Sequence, residues 1–185
     1  MDGIKISIRQ SVRPAQAGSS ESGPQIRLQA VTLETAQPGD ESFLAEVYAS
    51  TRAEEMAITG WSAEHRRLFL DMRYEAERRV RLRQLSEAQQ WVIRRNDVPA
   101  GQMIVRRSRE EIVLMELALL PEHRYKNVGS LVMAFLMEEA TQGGKLLRLL
   151  VEKKDSAAEE WFHRLGFESS SEGGTGEMVW RPRRP

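Results

Sequence analysis

The sequence predicts an α/β (α+β) fold in a single domain, with a mixed but mostly antiparallel sheet of about six to seven strands flanked by about four helices. Three observations carry this. Strand-period segments follow one another directly from Gln90 to Leu120, which suits antiparallel hairpins rather than a doubly wound sheet. A segment with clean helical spacing, Val128, Leu131, Val132, Phe135 and Leu136, then leads to a short apolar run, Leu146 to Val151, of the kind that forms a buried strand. Finally, 185 residues with 41% hydrophobic content suit one core of ordinary size.

Taken in order, Ser11 to Pro24 are rich in Ser, Gly and Pro with almost no large apolar side chains. They cannot offset their own ordering entropy, so residues 1–24 are expected to be a disordered tail. Within it, Ile4-Lys5-Ile6-Ser7-Ile8 has strand alternation and could pair with a sheet edge. The folded domain is expected over residues 25–182, with 183–185 a loose end. Ile26 to Val31 alternates as a first strand, and after Pro38-Gly39-Asp40 the spacing of Phe43, Leu44, Val47 and Tyr48 becomes helical. A second helix starts from a Ser62 cap, after a break at Gly60 and Trp61, and runs towards Leu85. Its basic cluster, Arg78, Arg79, Arg81 and Arg83, reads as a solvated face among acidic neighbours or as an anion site.

Two strands, Gln90 to Arg94 and Gln102 to Arg106, flank the loop Asn96 to Gly101 as a hairpin, and Glu111 to Leu120 adds a third. The strong helix from Val128 stops at Gly143-Gly144. Ser156-Ala157-Ala158-Glu159 fits a capping box opening another helix that closes at Gly166. Two final strands follow, at Phe167 onward and Glu177 to Trp180, around a Gly-rich turn.

Charge and composition exclude several classes of function. Lys plus Arg equal Asp plus Glu at 27 each, so no global field favours nucleic acid or an anionic membrane. There is no cysteine, which removes disulfides, thiol nucleophiles and thiolate metal sites. His65, His123 and His163 lack ligand-like spacing, and no metal is expected. With neither a signal-peptide pattern nor a run of about 18 apolar residues, a soluble cytoplasmic protein is expected.

The chemistry concentrates in Leu117 to Ser130, where a strand turns directly into the strong helix. Such a junction presents unpaired N–H groups and the positive end of a helix dipole, which attract phosphate, with Arg124 and Lys126 beside them. A plain strand-to-helix connection is the other reading. The segment Arg124, Tyr125, Lys126, Asn127, Val128, Gly129 resembles the coenzyme A loop of the GNAT superfamily of acetyl-CoA-dependent N-acetyltransferases, in which Arg or Gln is followed by two variable residues, Gly, a variable residue, then Gly or Ala. Trp161-Phe162-His163-Arg164-Leu165-Gly166-Phe167 resembles the family's aromatic-x-x-Leu-Gly-Phe signature, and the element order from about Gln25 to Arg181 is also similar.

The resemblance implies acetyl-CoA as co-substrate. Its pyrophosphate would sit on Arg124, Tyr125, Lys126, Asn127, Val128 and Gly129, its pantetheine along the backbone of Leu119 and Leu120 where the sheet splays, and Ser130, Ser156 and Phe162 would also belong to the coenzyme site. Asn127 replaces the family's first glycine, and Asn tolerates left-handed geometry better than other residues with a β-carbon. Phe162 stands where many members carry the tyrosine that protonates the thiolate, and Ser156 where an asparagine is common. For Ser156 a simple N-cap is the alternative role. Glu116 stands where the family often places a carboxylate facing the acceptor amine. Strand alternation would put it with Leu114 and Ala118 in a largely apolar setting, opposite Met115 and Leu117, as a general base or as a rim carboxylate paired with arginine. The N–H of Leu119 would stabilise the oxyanion.

Tyr48, Arg52, Glu54 and Glu55 either line the acceptor entrance or are ordinary helix-surface residues. The implied function is N-acetylation of a small-molecule amine or a peptide amino group, with a homodimer as a further possibility from the family. A GNAT-like module that binds coenzyme A or a protein partner without turnover is the second reading. An unrelated α/β protein would need the junction and the Leu-Gly-Phe ending to coincide by chance.

Overall fold

A computed structural model describes residues 25–28, 30–84, 88–151, 156–170 and 176–182. The expected tail at residues 1–24 and the expected loose end at 183–185 lie outside these. Among the described residues the chain forms eight strands and five helices in one sheet. The strands are β1 (Gln25–Leu28), β2 (Val31–Thr35), β3 (Ala88–Arg95), β4 (Val98–Arg107), β5 (Glu111–Leu119), β6 (Leu146–Leu150), β7 (Glu168–Ser169) and β8 (Glu177–Trp180). The helices are α1 (Glu41–Ser50), α2 (Ala53–Ala57), α3 (Ala63–Gln84), α4 (Val128–Gly143) and α5 (Ser156–Arg164). The sheet order is β1-β2-β3-β4-β5-β6-β8-β7, antiparallel throughout except for the parallel pair β5–β6.

The mixed sheet is as expected, with one strand more than the upper end of the range and one helix more than expected. The extra strand arises at Ile26 to Val31, which is a hairpin pairing Leu28 with Val31 rather than a single strand. The reversal sends Leu28, Val31 and Leu33 into the same core, which uninterrupted alternation could not do. The extra helix, α2, is too short to show periodicity. The β3–β4 loop is also tighter than expected. Asn96 and Asp97 both take positive φ, 49° and 64°, and close a two-residue turn, so Val98 to Gly101 belong to β4. Two consecutive left-handed residues match the twist of a hairpin, and Asn and Asp tolerate them.

Two cores flank the sheet. On one face α4 and α5 bury Val132, Met133, Leu136, Ala158 and Phe162 against Leu33, Ile93, Met103, Leu117 and Leu147. Leu136 is fully buried, and its truncation to Ala would cost about 2 to 5 kcal/mol. Gly144, at φ 60°, ends α4 with a left-handed cap, its N–H reaching the Ala140 and Thr141 carbonyls. On the other face α1 and α3 pack through Leu44, Tyr48, Leu70 and Tyr74 against Val92. Ser62 caps α3 by accepting a hydrogen bond from the His65 N–H at 3.2 Å. Arg78 pairs with Glu41 and Glu75, and Arg79 with Glu75, so these two members of the basic cluster sit among acids on α3 and α1. No helix among the described residues is long and apolar enough to cross a membrane.

The seam between α1 and α3 carries a polar knot. The buried Tyr48 hydroxyl donates to Glu77 at 2.6 Å, Arg52 stacks over the Tyr48 ring at 3.7 Å, and Arg73 reaches Glu77 at 3.2 Å. Burial, followed by the hydrogen bond to Glu77, pushes the Tyr48 hydroxyl well above its usual range. Burial alone would raise the Glu77 carboxyl. The Tyr48 hydrogen bond and the Arg52 and Arg73 cations outweigh it, and the group lies below its ordinary value.

Two outcomes follow for stability. A carboxyl lowered in the folded state stabilises above its unfolded value and loses that contribution as pH falls through the folded one. The unfolding midpoint should therefore drop on acidification below about pH 4.5, and Glu77→Gln should flatten that part of the profile. Second, a Cβ on Gly101 would meet the Ala118 carbonyl oxygen at 2.2 Å. Gly101→Ala should cost about 1 to 3 kcal/mol in denaturant unfolding, whereas Gly39→Ala, with nothing within 4 Å, should stay within about 0.5 kcal/mol of wild type.

Candidate active site

The site begins where β5 loses a neighbour. β6 pairs with it only from Glu111↔Leu146 to Leu114↔Leu149, while β4 follows it on to Gly101↔Leu119. Beyond Leu114, among the described residues, β5 has no strand partner on its β6 side, which leaves a gap in the sheet. Leu120 donates its N–H to the Ala100 carbonyl at 2.9 Å, on the β4 side. Peptide direction alternates along a strand, so the peptide groups of Leu117 and Leu119 turn into the gap and the N–H of Leu120 does not.

A bulge adjusts the faces of β5. Register shifts between Ile104↔Glu116 and Val105↔Leu114, leaving Met115 as the extra residue. The uninterrupted alternation expected from the sequence, with Leu114, Glu116 and Ala118 together, is thereby corrected. Leu114 shares the α4 core with Leu117 and Leu119, while Ala118 joins Val47 and Leu120 under α1. Glu116 stands on the α1 side with Ala118, two residues along the strand. Its setting is polar rather than apolar. Gln102, fully buried on β4, donates Nε2 to Glu116 Oε1 at 2.9 Å and accepts from Gln90 Nε2 at 2.8 Å. Neither glutamine stands out in the sequence, since no motif marks them.

The gap opens onto the N-terminus of α4. A 3-10 turn at Pro121–His123 leads into Arg124, and Tyr125 and Asn127 both take left-handed backbone, at φ 58° and 60°. Asn127 thus holds left-handed backbone, which asparagine tolerates better than other residues with a β-carbon. It serves as N-cap position but makes no side-chain capping bond, and the first helical bond is Leu131 N–H to its carbonyl. The N–H groups of Val128, Gly129 and Ser130 accordingly have no partner within the helix. α1, α2, α3 and α5 each carry an acid in the first turn, and α4 has none. This is a local field suited to an anion. Arg124 turns its Nε back to the Leu119 carbonyl at 3.0 Å and so ties the loop to the strand end. Tyr125 is 86% exposed, and Lys126 is exposed beside it. Burial pushes the His123 imidazole below its usual range, Glu122 opposing and Lys126 and Arg95 reinforcing, and its Nδ1 is buried without a hydrogen-bond partner.

The remaining residues lie further out. Phe162 is buried in the α4–α5 core, its ring 4.8 Å from Trp161 and 5.3 Å from Phe167. Ser156 opens α5. Tyr48, Arg52 and Glu55 are engaged with Glu77 and Arg73, and Glu54 is exposed on α2. Among the described residues a groove of about 470 Å³ lies between β4, β5, β6 and β8, lined by Met115, Leu150, Arg106, Glu111, Arg148 and Glu177 among others. Arg148 pairs with Glu111 at 2.8 Å and with Glu177 at 3.3 Å. Sequence reasoning missed this groove because strands from three parts of the chain build it.

Comparison with known proteins agrees with this geometry. Residues 86–169 match the model of the acetyltransferase (GNAT) domain, while no curated protein sequence matches. The PaiA N-acetyltransferase of Thermoplasma acidophilum, solved with coenzyme A, aligns at a TM-score of 0.60 and 16% identity, over 84% of this chain and 100% of that one. An acetyltransferase of Thermus thermophilus aligns at 0.56 and 18%, over 82% and 97%. The ribosomal-protein-S18-alanine N-acetyltransferase of Escherichia coli aligns at 0.53 and 17%, over 80% and 90%. The structural likeness is one of fold, and the matched segment, which spans β3 to β7 with the splayed strand and the start of α4, is similar to the acetyltransferase (GNAT) domain.

Proposed function

We propose that this protein is an acetyl-CoA-dependent N-acetyltransferase acting on a small-molecule amine or a peptide amino group by direct attack. One observation carries the reading: a strand with inward-facing peptide groups runs, through an uncapped loop, into a helix start whose N–H groups are unmatched and whose first turn lacks acid. The donors fit a pyrophosphate there, with the backbone of Val128, Gly129 and Ser130 supplying N–H groups and Arg124 and Lys126 the cationic flank. Left-handed Asn127 lets the loop turn into the helix without a glycine. Acetyl-CoA supplies an activated thioester.

Glu116 is the general base of this reading. An alkylammonium acceptor costs about 4 to 5 kcal/mol to deprotonate at pH 7, and a carboxylate held as an acceptor by Gln102 relieves that cost. The N–H of Leu119, facing the gap, is placed to donate to a developing oxyanion. A thiolate with a pKa near 8.5 needs only about 2 kcal/mol of help to leave at pH 7, which water can give. Phe162, buried and without a hydroxyl, favours a second reading, in which the module binds coenzyme A or a protein partner without turnover.

Calorimetry with acetyl-CoA and coenzyme A tests the cradle. Micromolar binding is expected. Ser130→Asp should stabilise α4 slightly through the helix dipole yet weaken binding at least tenfold, opposite signs that a non-binding loop would not show. In a thiol-release assay over an amine library, Glu116→Gln should lower kcat by about 10²- to 10⁴-fold with acetyl-CoA binding unchanged. Intact binding with no turnover of any amine would instead support the second reading.

A further inference from the structure

The face of the sheet beneath α1 carries a polar line across three strands that the acetyl-transfer reading does not by itself require. Gln90 lies on β3, Gln102 on β4 and Glu116 on β5. Register puts Gln90 and Glu116 on either side of Ile104, while Gln102 sits two residues away on the same face, opposite Ala118. Diagonal neighbours of this kind are about 7 to 8 Å apart, within reach of long side chains. The Met115 bulge is what turns Glu116 to this face in step with Gln102.

Gln102 is out of keeping with its surroundings. It is 0% exposed, on a strand whose neighbouring residues Ala100, Met103, Ile104 and Val105 are buried and apolar. A buried amide is costly unless both of its ends are bonded, and here both are. Gln90 donates to its carbonyl oxygen at 2.8 Å, which turns the Gln102 amino group the other way, towards Glu116 Oε1 at 2.9 Å. An ionised carboxylate only accepts hydrogen bonds, so this ordering of donors suits Glu116 in its base form and fixes the direction of its oxygens.

We propose that Gln102 is a positioning residue for Glu116, with Gln90 setting the orientation of its amide, so that the relay presents the carboxylate to the acceptor amine. This rests on the reading of Glu116 as base. Gln102 acts through Glu116 and does not itself meet the substrate.

The test is a double-mutant cycle in steady-state kinetics. Gln102→Met keeps the volume and removes both hydrogen bonds. It should lower kcat about 10- to 100-fold with KM for acetyl-CoA within about twofold. Placed on Glu116→Gln, the same substitution should lower kcat no further, because the group it positions has gone. Gln90→Met, at the partly exposed outer end of the relay, leaves the Gln102–Glu116 bond in place and should give a smaller fall in kcat in the same direction, which keeps the relay testable if Gln102→Met unfolds. Single losses that multiply in the Gln102→Met, Glu116→Gln double variant, or an unaltered kcat in Gln102→Met, would overturn the relay alone. An unaltered kcat in Glu116→Gln would overturn the base assignment and the relay with it.

Discussion

β5 is held by β4 along its length but by β6 over four residue pairs only, and the rest of the site depends on that mismatch. Had β6 continued, the peptide groups of Leu117 and Leu119 would be spent on ladder hydrogen bonds. Because it stops, they face a gap that leads to the start of α4. Gly101 holds the other side of the same strand. Its missing side chain lets β4 approach Ala118 and Leu119 closely, so β5 stays anchored where it leaves β6.

The bulge at Met115 converts a structural strand into one with two distinct uses. On one face Ile112, Leu114, Leu117 and Leu119 serve the α4 core. On the other, Glu116 meets buried polar partners. Without the extra residue the two sets could not both be in phase with their surroundings, because strand alternation has a period of two. Packing and candidate chemistry are thus separated by a single inserted residue.

Much of this was legible in the sequence. The helical spacing from Val128 to Leu136, the Gly143-Gly144 stop and the strand-to-helix junction at Pro121 are local signals, and local physics produced them. At Asn127 the residue type indicated only that left-handed backbone would be tolerated in the place of the family's glycine, and the chain takes that backbone, at φ 60°. What was hidden depends on partners distant in sequence. No Gly, Pro, Asn or Asp lies between Leu28 and Val31 to announce the reversal from β1 to β2, and the shared burial of Leu28, Val31 and Leu33 explains it. The bulge is invisible to alternation, which it interrupts. Gln102 looks like any polar strand residue until Gln90 and Glu116 are seen on either side. The knot around Tyr48 likewise joins α1 to α3 across 29 positions.

The narrow β5–β6 seam also bears on how the chain folds. β1 to β5 are joined in chain order by antiparallel pairing, and the three-strand run β3 to β5 needs only short turns, so that half can assemble from contacts near in sequence. β6 cannot dock in parallel until α4 has formed and crossed over, and it then gains only four rungs for closing that long loop. Contact order therefore predicts that the half made of β6, β7 and β8 joins late, with the apolar face of α4 packing against it. The gap beside β5 thus lies at the seam that the longest-range contacts must close.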